Sequence, residues 1–176
     1  DFEEYERINN GLPTTSLKDS LGEYEISAFI KDILINPDNS AFACCGLSGI
    51  YCVADITALS PTWSKVSDSN LNGKDITAII LKSSTPDIYW VSTWGDGIWE
   101  GQDSGSWVWT KVSSDVTMPH EYVWTIFKTT SNDIYIGTEH GGIYKWDSGI
   151  VWTREIDNVT RSQIFSWKTP NYRWIF

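Results

Sequence analysis

Ile134-Tyr-Ile-Gly-Thr-Glu-His-Gly-Gly-Ile-Tyr-Lys-Trp-Asp-Ser-Gly-Ile-Val-Trp152 decides how this chain is read. Its β-branched and aromatic residues are interrupted by a glycine-bearing turn and then by Asp-Ser-Gly. That pattern predicts strand, turn, strand, turn and the start of a third strand. The Gly-Ile-aromatic triplet inside it occurs three times, at Gly49-Ile50-Tyr51, Gly97-Ile98-Trp99 and Gly142-Ile143-Tyr144. The unit therefore repeats after 48 and then 45 residues. A period of about 40–50 residues with four short strands marks the blades of a β-propeller.

The other strands follow from this register. First strands are expected at Ile26–Ile30, Ile76–Ile80, Val123–Phe127 and Arg161–Phe165. Polar turns at 36–39, 83–87, 129–133 and 169–171 lead into second strands at Ala41–Cys45, Ile88–Ser92, Ile134–Gly137 and Tyr172–Phe176. Third strands begin at the triplets. Fourth strands are headed by Trp63, Trp109 and Trp152. The expected fold is all-β: a single propeller over 1–176 built from four-stranded antiparallel blades. Complete blades fall at 26–66, 76–112 and 123–156, with a lone strand at 2–8 and a half-blade at 161–176. No long stretch has the 3.6-residue period of an amphipathic helix. An open arc of blades leaves apolar faces wet. The arc is therefore expected to be a piece of a larger ring, to close on itself as four blades, or to be completed by a second chain.

Hydrophobic residues make up 41% of the 176 positions and aromatic residues 14%, which is a globular composition. No apolar run approaches the roughly 18 residues that a membrane-spanning helix needs. The 23 acidic and 13 basic residues give a net charge of -10, which repels nucleic acid and anionic membrane. Cations, basic proteins and neutral sugars are better partners. The chain opens on Asp1, which suggests a processed product or an excised piece whose targeting segment is already gone. The expected setting is a larger exported protein, extracellular or periplasmic. Cys44, Cys45 and Cys52 fall in one expected hairpin, with Cys45 and Cys52 diagonal on a shared face, too far apart for a disulfide. They are read as free thiols. No metal site or cofactor is expected.

Asp147-Ser-Gly-Ile-Val-Trp152 fits Asp-x-Gly-x-x-Trp, and Asp103-Ser-Gly-Ser-Trp-Val-Trp109 fits it with one extra residue. Asp55 to Trp63 keeps only the two ends. This resembles the Asp-box (BNR-like) repeat of sialidase-like, sortilin-type and photosystem-assembly propellers, although Lys145 stands where the motif usually opens with Ser or Thr. The resemblance implies structural roles for Asp103, Gly105, Trp109, Asp147, Gly149 and Trp152. The carboxylate would bind backbone N–H groups of its own turn, the glycine would allow positive φ, and the tryptophan would fold under the hairpin. A more remote likeness, through Asn10-Gly-Leu-Pro13 ahead of the repeats, is to the propellers of sensory receptors.

In such propellers, ligands meet the face carrying the second-to-third-strand turns and the between-blade loops. That places Trp94, Asp96, Glu139, His140, His120 and Glu121 at the candidate ligand site. Trp94 is expected to stand exposed in its turn, because the matching positions are Gly46 and Glu139. The plainer alternative packs it on the neighbouring loop. Asp96 and Glu139 are candidate catalytic carboxylates, since a glycosidase holds such a pair about 5–9.5 Å apart. In an acidic chain, solvated turn carboxylates are the plainer reading, and His140 is read the same way. Of the four arginines, Arg7, Arg154, Arg161 and Arg173, none lies in a face turn, which argues against sialidase chemistry. The expectation is a non-catalytic propeller binding a glycan or a protein. The alternative is a fragment of a propeller glycoside hydrolase.

Overall fold

The computed structural model describes residues 10–19, 22–27, 29–112, 120–148 and 151–156. Their regular structure is β, apart from a 3-10 turn at Ser69–Leu71. Strands β1 (Thr14–Asp19) and β2 (Gly22–Ser27) form a separate antiparallel hairpin. The first blade consists of β3 (Asp32–Ile35), β4 (Ala41–Cys44), β5 (Ile50–Val53) and β6 (Ser64–Lys65). The second is β7 (Asp75–Ser84), β8 (Asp87–Trp94), β9 (Gly97–Asp103) and β10 (Trp107–Lys111). The third is β11 (Val123–Lys128), β12 (Ile134–Thr138), β13 (Gly142–Ser148) and β14 (Val151–Ile156). Each of these three sheets is a four-stranded antiparallel meander in chain order.

The register repeats from sheet to sheet. The triplet isoleucines Ile50, Ile98 and Ile143 pair with Cys44, Ser92 and Gly137. Two residues back, Phe42, Trp90 and Tyr135 are equivalent, and strand alternation puts them on one face. Ala43, Val91 and Ile136 lie on the other.

One strand differs from the sequence expectation. The first blade does not begin at Ile26–Ile30: Gly22–Ser27 pairs with Thr14–Asp19, and the blade's inner strand is Asp32–Ile35. The turn that follows fixes this. The Asn36 N–H donates to the Ser40 carbonyl at 2.8 Å, and Asn39 takes φ 68°, which asparagine tolerates. So tight a turn requires its strand to end at Ile35. The expected strand at 2–8, the half-blade at 161–176 and Gly149 lie outside the described residues.

The blades bury their faces against one another. At the first junction Phe42, Cys44 and Val66 meet Ile79, Val91 and Trp109. At the second, Ile80, Trp90 and Ile98 meet Ile126, Ile136 and Trp152. The tryptophan of each fourth strand covers the blade before it, and Trp63 does the same toward Leu12. Hydrogen bonds stitch the junctions. Ile76 N–H donates to Gly46 O at 3.3 Å, and the Gly95 and Gly97 N–H groups donate to Glu121 O at 3.2 and 3.0 Å. The edge N–H of Ile79 donates to Asp32 Oδ2 at 3.0 Å, and Thr77 Oγ1 donates to Val123 O at 2.8 Å.

The three cysteines form no disulfide. Cys44, not Cys45, shares a face with Cys52, because Phe42 pairs with Cys52 and Cys44 with Ile50. Cys45 packs on the opposite side, where burial pushes its thiol up to about 11.

The carboxylates of the Asp-box resemblance accept hydrogen bonds within their own hairpins. The Gly105 N–H donates to Asp103 Oδ1 at 2.9 Å, with Gly105 at φ 100°. Asp147 accepts from the Thr153 hydroxyl. Thr57 donates to Asp55 through both N–H, at 2.8 Å, and Oγ1, at 2.6 Å. The Trp109 indole donates to Val66 O at 2.9 Å, whereas the buried Trp152 indole N–H has no hydrogen-bond partner among the described residues.

A polar cluster closes the outer part of the second junction. Lys82 Nζ lies 2.8 Å from Glu100 Oε2 and over the rings of Trp90, at 4.4 Å, and Trp146, at 5.3 Å. The Trp90 indole donates to the same carboxylate oxygen at 2.7 Å. Burial pushes the Glu100 carboxyl up, but the hydrogen bonds from Lys82 and Trp90, with the Lys82 charge, outweigh it and hold it below 4.5. A carboxyl lowered on folding contributes stability that is present above its unfolded value and is lost as pH falls through the folded one. The melting temperature is therefore expected to fall as pH drops below 4.5, with a shallower fall in Glu100→Gln. Identical acid profiles for the two proteins by circular dichroism would disprove this role.

Candidate ligand-binding face

The turns after β8 and β12 and the entry to β11 come together at the second junction. Their meeting is built on a β-bulge. Val123 pairs with Thr138 and Thr125 with Gly137, so Trp124 is skipped in the ladder and its side chain is re-aimed. Thr77 is the equivalent skipped residue of β7. Trp124 packs on Trp94, with ring centroids 4.1 Å apart. Trp94 also meets Tyr122 edge-on at 5.0 Å, and a single bridge joins the backbones of these two residues. Trp94 thus ends β8 half-buried on the neighbouring loop, rather than standing exposed in the turn. Sequence reasoning placed Trp124 in its strand and missed its turn toward Trp94, because a bulge leaves no mark on a two-residue period.

Tyr122 is the open member of the cluster, 50% exposed. Its ring lies over Gly95, where a Cβ would come within 3.4 Å of Cε1. Glu139 accepts from the Trp124 indole N–H at 2.6 Å. The Glu139 N–H donates to Tyr122 O at 2.9 Å, which ties the turn to the cluster. His140 is exposed with φ 59°, in the left-handed region where histidine is among the tolerated residues. His120 lies against the next turn residue: a Cβ on Gly141 would be 2.3 Å from its Cδ2.

The other carboxylates of this face are engaged by lysines. Asp96 Oδ1 lies 2.7 Å from Lys74 Nζ, which also sits 4.9 Å over the Trp99 ring. Glu121 pairs with Lys111, and Asp75 with Lys31 at 2.5 Å. The register makes Glu139 the equivalent of Trp94, while Asp96 matches Gly141. The two candidate catalytic carboxylates therefore occupy different positions of their turns, each held by its own donor. Asp68 serves the fold: its side chain accepts from the backbone N–H groups of Asn70, at 2.9 Å, and Trp109, at 3.0 Å. Among the described residues, no group of three or more His, Cys, Asp or Glu is placed to hold a metal ion.

The face thus brings together Trp94, Glu139, His140 and His120 with Tyr122 and Trp124. It sets Asp96 and Glu121 apart in lysine pairs. Its chemistry is that of an aromatic surface open at Tyr122, with a hydrogen-bond-accepting carboxylate close to Trp124. No protein-family model matches the sequence, and no curated protein matches it.

Proposed function

We propose that this chain is a non-catalytic ligand-binding β-propeller module of the Asp-box type, part of an exported protein, and that it takes a carbohydrate on the Tyr122 face. The observation behind this reading is the half-open Tyr122 ring, backed by Trp94 and Trp124 and flanked by Glu139. A pyranose can lay its apolar C–H face on such a ring while a carboxylate accepts from its hydroxyl groups. The net charge of -10 favours neutral or cationic glycans over anionic ones. A glycoside hydrolase using Asp96 and Glu139 is less supported, since the two carboxylates stand at different positions of their turns and Asp96 is engaged by Lys74.

Isothermal titration against a panel of neutral and amino-sugar oligosaccharides tests the proposal. Tyr122→Ala is expected to weaken binding at least about tenfold, equivalent to about 1.4 kcal/mol. Failure of every glycan to bind, or equal binding by the variant, would remove the reading. Release of reducing sugar from the same panel, lost in Glu139→Gln, would replace it with the hydrolase.

A further inference from the structure

Two glutamates of this chain meet a tryptophan in the same way. The Trp90 indole donates to Glu100 Oε2 at 2.7 Å, and the Trp124 indole donates to Glu139 Oε2 at 2.6 Å. At Glu100 an ammonium group completes the arrangement: Lys82 Nζ lies 2.8 Å from the same oxygen and 4.4 Å over the Trp90 ring. At Glu139 no lysine or arginine does so among the described residues. Its Oε1 accepts no hydrogen bond among the described residues, although a carboxylate has about four acceptor positions.

The other carboxylates of the face have their ammonium partners, as Glu100 does: Asp75 has Lys31, Asp96 has Lys74 and Glu121 has Lys111. Glu139 is half-buried, so its charge is partly withdrawn from water. A cation that reaches it is held more strongly than at a fully solvated carboxylate. Backbone and rings tie this carboxylate to Tyr122. The Glu139 N–H donates to Tyr122 O at 2.9 Å, and Trp94 touches both the Tyr122 and the Trp124 rings. The open ring and the open carboxylate oxygen therefore belong to one patch.

We infer that the ligand is a glycan with free, protonated amino groups, one ammonium donating to Glu139 Oε1 while a pyranose ring of the same chain lies on Tyr122. This rests on the carbohydrate reading of the face and narrows it to one substrate class. The ligand's ammonium supplies at Glu139 the charge that Lys82 supplies at Glu100. An N-acetylated amine offers an amide N–H but no charge, and a plain hydroxyl offers none either, so both bind more weakly there. The net charge of -10 draws a polycationic oligosaccharide toward the protein.

Isothermal titration of the whole chain compares three oligosaccharides of equal length: a glucosamine oligomer, its fully N-acetylated form and the matching glucose oligomer, in a buffer that keeps the amines protonated. The glucosamine oligomer is expected to bind at least about tenfold more tightly than the other two. Added salt should shrink that ratio, because screening weakens a partly exposed charge pair. Glu139→Gln keeps an acceptor oxygen for the Trp124 indole and should bring the ratio to within about twofold. Circular dichroism checks the fold of the variant, and the salt series on the wild type carries the test if the variant does not fold. Equal binding of all three oligomers, weakened throughout by Tyr122→Ala, would overturn this inference and leave the carbohydrate reading standing. A preference that survives Glu139→Gln or ignores salt would also overturn it, as would a lysine oligopeptide of the same charge binding as tightly as the glucosamine oligomer. Failure of every oligosaccharide to bind would remove both readings.

Discussion

Replacing Trp109 by Ala is expected to destabilise the fold by about 3–5 kcal/mol, the range for removing a large buried aromatic side chain. Trp109 is fully buried at the first junction, between Val66 of one blade and Val91 of the next. Its indole N–H donates to Val66 O, and its backbone is held from both sides: its N–H by Asp68 Oδ2 at 3.0 Å and its carbonyl by the Asn70 side chain at 2.9 Å. These bonds fasten the loop leaving the first blade to the outer strand of the second. A total stability of about 5–15 kcal/mol is usual for a domain, so the change is a large fraction of what holds the two sheets together. Trp109→Phe separates the contributions. It keeps much of the apolar contact and leaves the Val66 carbonyl without its donor, at a cost of about 1–3 kcal/mol. Urea unfolding followed by tryptophan fluorescence and circular dichroism measures both. A Trp109→Ala protein within about 1 kcal/mol of the wild type would show that the side chain does not hold this junction.

The second large effect comes from adding one methyl group. A Cβ at Gly101 would lie 2.5, 2.5 and 2.6 Å from three atoms of the Trp109 ring, which is fully buried and has no room to retreat. Gly101 pairs directly with Trp109 across β9 and β10, so the indole lies flat over the glycine and closes against it. Gly101→Ala is expected to cost about 1–3 kcal/mol through overpacking. Because the clash is with one identified ring, the cost should vanish in a Trp109→Ala background. The coupling energy is then about as large as the single effect, as for residues in contact. A double-mutant cycle by urea unfolding decides this: additive effects would mean that the methyl group is accommodated elsewhere.

The blades were legible because the Gly-Ile-aromatic triplet marks a sharp local event. Its glycine opens a strand directly after a tight turn, and few other residue types could replace it there. Gly97 and Gly142 take φ 73° and 87°. The inner strand of the first blade was not legible. Ile26-Ser-Ala-Phe-Ile30 and Asp32-Ile-Leu-Ile35 are both β-prone, and only the geometry of the Asn36–Ser40 turn selects the second. The candidate face was legible in its turns and hidden in its strands. Glu139, His140 and Trp94 could be found by matching turn to turn. Tyr122 precedes its strand and Trp124 is displaced by a bulge, so no repeat position announces either one. The lysine partners of Asp96 and Glu121 come from outside the turns, from residues 22 and 10 positions away in the chain. For that reason composition overstated how much unpaired negative charge the face presents.

Trp94 closes a strand of one sheet, while Tyr122 and Trp124 belong to the entry of the next. A molecule lying across Tyr122 and Trp94 would grip both sides of a seam. Its dissociation and the parting of the two sheets would be linked equilibria, so that occupancy would draw the sheets together and any loosening of the seam would speed release.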